Sequence, residues 1–179
     1  MLSNPRVLGV DPGTYKMGVA VIEKENSSYR SIFFDTLEAS QETLPARLHH
    51  LFNELSQVIK IYKPQVLVVE NVFFSQTVQT AIKIGEARAL ALLAGTQYGL
   101  EIREYPPARV KQSVVGNGRA TKDQVQWMVK KLFSLKEAPP PDAADALAIA
   151  LCYFHSRFQE RLLLSFPRKR ESDPRLRED

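Results

Sequence analysis

Apolar residues recur along this chain in two rhythms. Short runs in which every position is apolar or glycine, VLGV over 7–10 and VLVV over 66–69, each end at a single acid, Asp11 and Glu70. A strand hydrophobic throughout is one covered on both faces, as in α/β proteins. Residues 6–11, 17–23, 29–36, 66–70 and 101–105 therefore read as strands. Between them the period changes. Leu44, Leu48, Leu51, Phe52, Leu55, Val58, Ile59 and Tyr62 fall on one face of a helix that Lys63-Pro64 stops. Residues 76–98 predict an Ala-rich helix ending near Gly99, and 107–115 a short one. Gly116-Asn117-Gly118 reads as a flexible loop. Thr121 with Gln124 three residues on has the form of a capping box and opens a helix through Phe133. Pro139-Pro140-Pro141 break the chain, and Pro141 starts a last helix carrying Leu147, Leu151 and Phe154. The order is three strands, helix, strand, helix, strand, then helices, with no internal repeat.

The chain's 179 residues favour one domain, and 44% hydrophobic with 25% charged residues is the composition of a soluble globular protein. The expected domain covers residues 1–164. From 165 to 179 acids, bases and prolines mix with few apolar groups, and a disordered tail is expected. A net charge of +4, from 24 basic and 20 acidic residues, suits nucleic acid without demanding it. The single cysteine, Cys152, excludes a disulfide framework within the chain and reads as a small core residue. No signal peptide and no membrane-spanning run is seen, so a cytoplasmic location is expected.

The candidate chemistry lies in four carboxylates from three separated stretches: Asp11, Glu70, Asp142 and Asp145. Taken singly each has an ordinary explanation. Asp11-Pro12-Gly13 is turn chemistry, and acids in a first helical turn suit the helix dipole. Glu70 is less ordinary, because a carboxylate after four apolar β residues is expensive to bury alone. Asp142 and Asp145 share one helix face, and Ala143, Ala144, Ala146 and Ala148 around them suit close packing on a sheet. Four acids brought together repel one another, and a divalent cation relieves that repulsion. An all-oxygen donor set without His or Cys suits Mg²⁺ or Mn²⁺. The joint pattern points to metal-dependent phosphodiester hydrolysis on nucleic acid.

Five stretches, VLGVDPGTYKMGVAVIE, VLVVENVFF, AIKIGEAR, RVKQSVVGNGRATKDQVQWMV and DAADALAIA, closely resemble the RuvC family of bacterial Holliday junction resolvases, in the same order and at family spacing. The resemblance runs from about Arg6 to about His155. It implies an RNase H-like α/β fold, with a mixed five-stranded sheet flanked by helices. It implies a homodimer that cuts two strands of a four-way DNA junction symmetrically, leaving 5′-phosphate and 3′-hydroxyl ends, alongside the RuvA and RuvB branch-migration proteins. The family's metal-binding catalytic acids fall on Asp11, Glu70, Asp142 and Asp145, with two Mg²⁺ per subunit expected and Mn²⁺ as a substitute. Lys111 and Lys122 match family basic residues that meet DNA, and Arg109 and Arg119 are further candidates for backbone contact. Phe73 matches a family aromatic that stacks on an opened base; one of Phe73 and Phe74 is expected in the core, and the sequence leaves open which of the two meets DNA. Ala81, Gly85 and Ala89 form a small-residue stripe on the helix that the resemblance makes the dimer interface.

Three other readings compete. The Asp-x-Gly-Thr turn also occurs in sugar kinases and actin-like ATPases, but 179 residues cannot supply their two domains. A relative that trims ribosomal RNA precursors shares the fold, yet is usually shorter and lacks the VENVFF and RVKQSVVG stretches. A junction-binding protein without cleavage would need a lost acid, and all four are present.

Overall fold

A computed structural model describes residues 4–26, 28–71 and 77–165. Five strands form one sheet: β1 (Val7–Asp11), β2 (Lys16–Glu25), β3 (Ser28–Glu38), β4 (Val66–Glu70) and β5 (Glu101–Tyr105), in the order β3-β2-β1-β4-β5. The first three run antiparallel, while β1–β4 and β4–β5 are parallel. Parallel neighbours need a crossover. Helix α1 (Leu44–Tyr62) carries the chain from β3 to β4, and α2 (Val78–Gln97) from β4 to β5. Helices α3 (Pro107–Val115), α4 (Lys122–Leu132) and α5 (Pro141–Ser165) follow. This is the mixed, RNase H-like arrangement that the family resemblance implied. The predicted strands and helices all form, with ends that differ by a few residues. Residues 166–179, most of the expected tail, lie outside the described residues, as do Phe73 and Phe74.

Side chains of a strand alternate between faces, and that alternation divides the core in two. Val7, Ala20, Ile22, Val66 and Val68 face the layer of α3, α4 and α5. Leu8, Val10, Val19, Val21, Leu67 and Val69 face α1 and α2. The apolar runs of β1 and β4 are buried on both faces for this reason.

Local signals set the helix ends. Thr43 accepts from Ala46 N at 3.4 Å to cap α1, and Lys63 ends that helix in the left-handed region at φ 50°. Thr121 and Gln124 form the complete capping box at α4: Thr121 Oγ1 accepts from Gln124 N at 3.3 Å and Gln124 Oε1 from Thr121 N at 2.9 Å. The Gly116-Asn117-Gly118 stretch, expected as a loose loop, is a hydrogen-bonded turn. Gly116 N donates to Gln112 O at 2.9 Å, Arg119 N to Asn117 Oδ1 at 3.0 Å and Ala120 N to Asn117 O at 3.2 Å. Backbone groups between two closely spaced helices have to find such partners.

Helix α5 lies unusually close to the sheet. A Cβ added at Gly9 of β1 would fall 2.2 Å from Ala146 O, and one at Gly18 of β2 would fall 2.0 Å from Asp142 O. Only residues without a side chain fit beneath the helix, and the helix in turn presents Ala143, Ala146 and Ala150, all fully buried.

Candidate active site

Asp11 and Glu70 are the last residues of β1 and β4. Val10 pairs with Val69 across the parallel ladder, so the two acids end neighbouring strands at the same level. The alternation that sends Val7, Val66 and Val68 toward α5 sends Asp11 and Glu70 to that face as well. Asp142 and Asp145 occupy the first two turns of α5, which Gly9 and Gly18 admit against β1 and β2. Strand ends and a helix start thus bring together carboxylates up to 134 positions apart in the chain.

A cavity of about 240 Å³ opens between them. Asp11, Glu70, Asp145, Lys111 and Lys122 supply its charged groups, and Pro107, Val110, Val125, Ala148 and Ile149 complete the lining. Asp142 is half-buried beside the cavity rather than in its lining.

The electrostatics are those of crowded acids. Burial, with Asp145 and Glu70 close by, pushes the Asp11 carboxyl up to about 8, against the pull of Lys122, and Asp142 adds to the rise. Burial and then Asp145 raise Glu70, while Lys111 and Lys122 hold it back. Lys122 is the cation that serves all of them. Its Nζ donates to Asp145 Oδ2 at 3.2 Å, and Asp145 first, then Asp11 and Asp142, raise its own pKa. The lysine side chain is 78% exposed, so this ion pair is worth about 1 kcal/mol or less and is readily released.

The donor set fits a hard divalent cation. Every candidate ligand is a carboxylate oxygen, and burial together with neighbouring acids holds two of the carboxyls above their usual range. Among the described residues no three such side chains are drawn close enough to grip one ion as they stand. The Lys122 ammonium lies against Asp145.

The other expected DNA contacts separate. Lys111 enters the cavity. Arg109, two residues away, does not: its Nε donates to Ser156 Oγ at 3.4 Å and its Nη2 to Gln159, bracing α3 against later turns of α5. Residues two apart on a helix do not face the same way. Arg119 is exposed in the α3–α4 turn and is not part of the cavity lining. Gly9 and Gly18 were not singled out from the sequence: Gly9 shares the face of Asp11 by the two-residue period of β1, whereas Gly18 does so through the register that pairs it with Asp11.

The match to known proteins agrees with this geometry. The sequence model of the family described as crossover junction endodeoxyribonuclease RuvC matches residues 7–153. The chain belongs to the RuvC family. Crossover junction endodeoxyribonuclease RuvC of Caldicellulosiruptor saccharolyticus is 47% identical over 154 residues, covering 84% of this chain and 93% of that one. The same enzyme of Caldanaerobacter subterraneus subsp. tengcongensis is 43% identical over 153 residues, with the same coverage. Among solved structures, Thermus thermophilus RuvC in complex with Holliday junction substrate superposes with a TM-score of 0.80 at 33% identity, over 87% of this chain and 96% of that one. Membership of the RuvC family makes this a nuclease of RNase H-like fold and sets aside the ATPase and RNA-trimming readings. The RuvC match includes all four acids and both cavity lysines. None of the described helices is long and apolar enough to cross a membrane.

Proposed function

We propose that this protein resolves four-way DNA junctions by metal-dependent hydrolysis of one phosphodiester in each of two symmetry-related strands, leaving 5′-phosphate and 3′-hydroxyl ends. The observation that carries the reading is the convergence of Asp11, Glu70 and Asp145 with Lys111 and Lys122 in one cavity, with Asp142 beside it, in a chain of the RuvC family.

Asp11, Glu70, Asp142 and Asp145 would hold two Mg²⁺ per subunit, with Mn²⁺ as a substitute. Such a pair activates a water and stabilises the charge that develops on the leaving oxygen. The chain's own groups set the geometry around that chemistry. Asp11, at the end of the central strand, is the most enclosed of the acids and would hold metal from the floor of the cavity. Lys111 and Lys122 line the same cavity and meet the non-bridging oxygens of the incoming phosphate. Lys122 gives up only a weak, water-exposed bond to Asp145 in doing so. The apolar wall of Val110, Val125 and Ile149 limits water beside the reacting phosphate. Phe73 stacks on a base opened near the crossover, and Arg119 contacts the backbone outside the cavity. Arg109 is assigned to positioning α3, and hence Lys111.

A junction has near two-fold symmetry, which a homodimer matches. Helix α2 supplies the matching surface: Val78, Ile82 and Leu93 are 77%, 56% and 62% exposed, and a Cβ at Gly85 would meet nothing within 4 Å. Large apolar residues in water with small ones between them suit close contact with a second α2. RuvA and RuvB, and a cytoplasmic site of action, complete the reading.

The test compares the wild type and Asp11→Asn on a mobile synthetic four-way junction and on linear duplex of matched sequence, with and without Mg²⁺. The wild type should cut only the junction, symmetrically and only with metal, and the variant should bind without cutting. Equal binding of junction and duplex with no cleavage by either protein would overturn the proposal.

A further inference from the structure

Strand β2 lies on the side of β1 away from β4, so its end and the cavity flank Asp11 from opposite sides. That end carries a lysine which the cavity does not include. Lys16 is the first residue of β2, and Gly18 is two residues on. Gly18 pairs with Asp11 across the antiparallel ladder, and a Cβ there would point at Asp142. Residues two apart on a strand share a face. Lys16 therefore projects from the face of the sheet that carries Asp11 and receives α5. It stands about 7 Å beyond Gly18 along the strand, at the edge of the sheet where β1 and β4 end in their acids.

The electrostatics agree with this placement. Glu38 raises the pKa of Lys16 most, and Asp142 adds to the rise. Asp142 also adds, after Asp145 and Asp11, to the rise at Lys122. The acid that lies outside the cavity lining is thus within reach of both ammonium groups, one on β2 and one on α4. Lys16 Nζ donates to Glu38 Oε1 at 2.8 Å, with the two side chains 60% and 65% exposed. An ion pair so open to water is readily exchanged for another anion.

A strand whose scissile phosphate sits among the acids continues past them on both sides, with a further phosphate at every nucleotide. Contacts to those phosphates fix its register. In the turns and strand ends on the β2 side, residues 12–16 and 36–43, Lys16 is the single basic residue, against Glu38 and Glu42.

We infer that Lys16 is a further DNA-binding residue, which leaves Glu38 to meet a phosphate of the cleaved strand on the β2 side of Asp11. This rests on the resolvase reading of the cavity. Lys16 takes no part in the chemistry. With Lys111 and Lys122 it holds the strand on both flanks of the acids, so that the scissile phosphate lies over them. Glu38 competes with the phosphate for the ammonium and so weakens the contact.

The experiment uses full-length Asp11→Asn in Mg²⁺, so that the DNA stays whole, and follows a fluorescein-labelled four-way junction by anisotropy. In that background Lys16→Gln should weaken junction binding several-fold and lower its salt slope by about one, and Lys16→Arg should restore both. Glu38→Gln should tighten binding, and the gain should disappear when it is combined with Lys16→Gln. Junctions carrying a single methylphosphonate at one of the phosphates beside the scissile position locate the contact. At one of them the lost charge should weaken binding by the protein with Lys16 and leave the Lys16→Gln variant unaffected. Affinity and salt slope unchanged by Lys16→Gln would overturn the inference and leave the resolvase reading standing. A loss that is the same whichever phosphate is neutralised would also overturn it, since Lys16 would then act only as diffuse surface charge. A gain from Glu38→Gln that persists without the lysine would overturn it as well. Should Lys16→Gln lower the thermal melt, Glu38→Gln carries the test, because it keeps the lysine: full Tm with unchanged affinity would overturn the inference. Absence of junction binding by the protein with Lys16 would overturn both readings.

Discussion

Gly18 lies directly beneath Asp142: a Cβ at residue 18 would stand 2.0 Å from the Asp142 carbonyl oxygen and 3.2 Å from Asp11 Cβ. The missing side chain on β2 is what lets the start of α5 approach β1, so one position governs both packing and the site. Gly18→Ala should destabilise the protein by about 1–3 kcal/mol, the usual cost of overpacking. It should also lower cleavage more than junction binding, since Asp142 and Asp145 move away from Asp11. Thermal melts and single-turnover cleavage at saturating enzyme check this. A variant with wild-type stability and rate would show that α5 can shift without consequence.

Asp11 predicts a pH dependence of stability in metal-free protein. Its folded pKa, about 8, is well above the 3.8 of an ordinary aspartate. The folded state therefore holds a proton that the unfolded state has lost, and stability falls as pH rises across that window. The contribution is fully present below about pH 4 and gone once pH passes about 8. Asp11→Asn removes this dependence. In chelator, its Tm should exceed that of the wild type by an amount that grows from pH 5 to pH 8, with each kcal/mol worth about 2–4 °C in a chain of this size. Divalent metal should reverse the order by stabilising the wild type alone. A Tm difference independent of pH would rule out the buried, crowded carboxyl.

Lys122 is predicted to oppose metal binding before DNA arrives. Its ammonium is 3.2 Å from Asp145, and two unit charges about 4 Å apart interact by about 1 kcal/mol even at the dielectric constant of water. Lys122→Gln should bind Mn²⁺ several-fold more tightly, measured by electron paramagnetic resonance of the free ion, although it cleaves less well. Equal or weaker affinity in the variant would exclude this opposition.

The capping box at Thr121 holds the residue next to Lys122. Thr121→Ala removes the Oγ1 acceptor that pairs with Gln124 N and should cost about 1 kcal/mol. Its effect on cleavage should largely vanish in the Lys122→Gln background, because the cap acts by placing that lysine. Additive losses in the double variant would mean that the cap acts elsewhere.

The α2 face makes a separate prediction. Ile82→Glu puts a charge among exposed apolar residues and should shift the protein toward monomer in sedimentation without lowering its Tm. Junctions should then be nicked on one strand rather than cut on two. Sedimentation identical to wild type would place the dimer contact on another surface.

Much of the site was legible because its elements follow local rules. An acid directly after an apolar run marks a strand end, which gave Asp11 and Glu70. Two acids three residues apart among alanines mark one face of a tightly packed helix, which gave Asp142 and Asp145. Lys111 and Arg109 show where reading along the chain stops. They are equally basic and two residues apart, yet one lines the cavity and the other bonds Ser156 on α5. Their helical phase says that they diverge, but only the docking of α3 on α5 says which faces the acids. The turn at Gly116–Gly118 is similar: glycines announced a break, and its hydrogen bonds came from the packing of α3 and α4 on either side.

The sequence by itself determined the strands, the helices, their caps and the identity of the acids, because backbone propensity, hydrophobic period and side-chain chemistry are properties of neighbouring residues. Only the tertiary structure decided that Asp11, Glu70 and Asp145 share a cavity with Lys111 and Lys122, and that Arg109 is turned away. Those outcomes depend on how closely one helix settles on a sheet. That distance is set by steric contact between residues far apart in the chain, Gly9 with Ala146 and Gly18 with Asp142, and no local pattern encodes it.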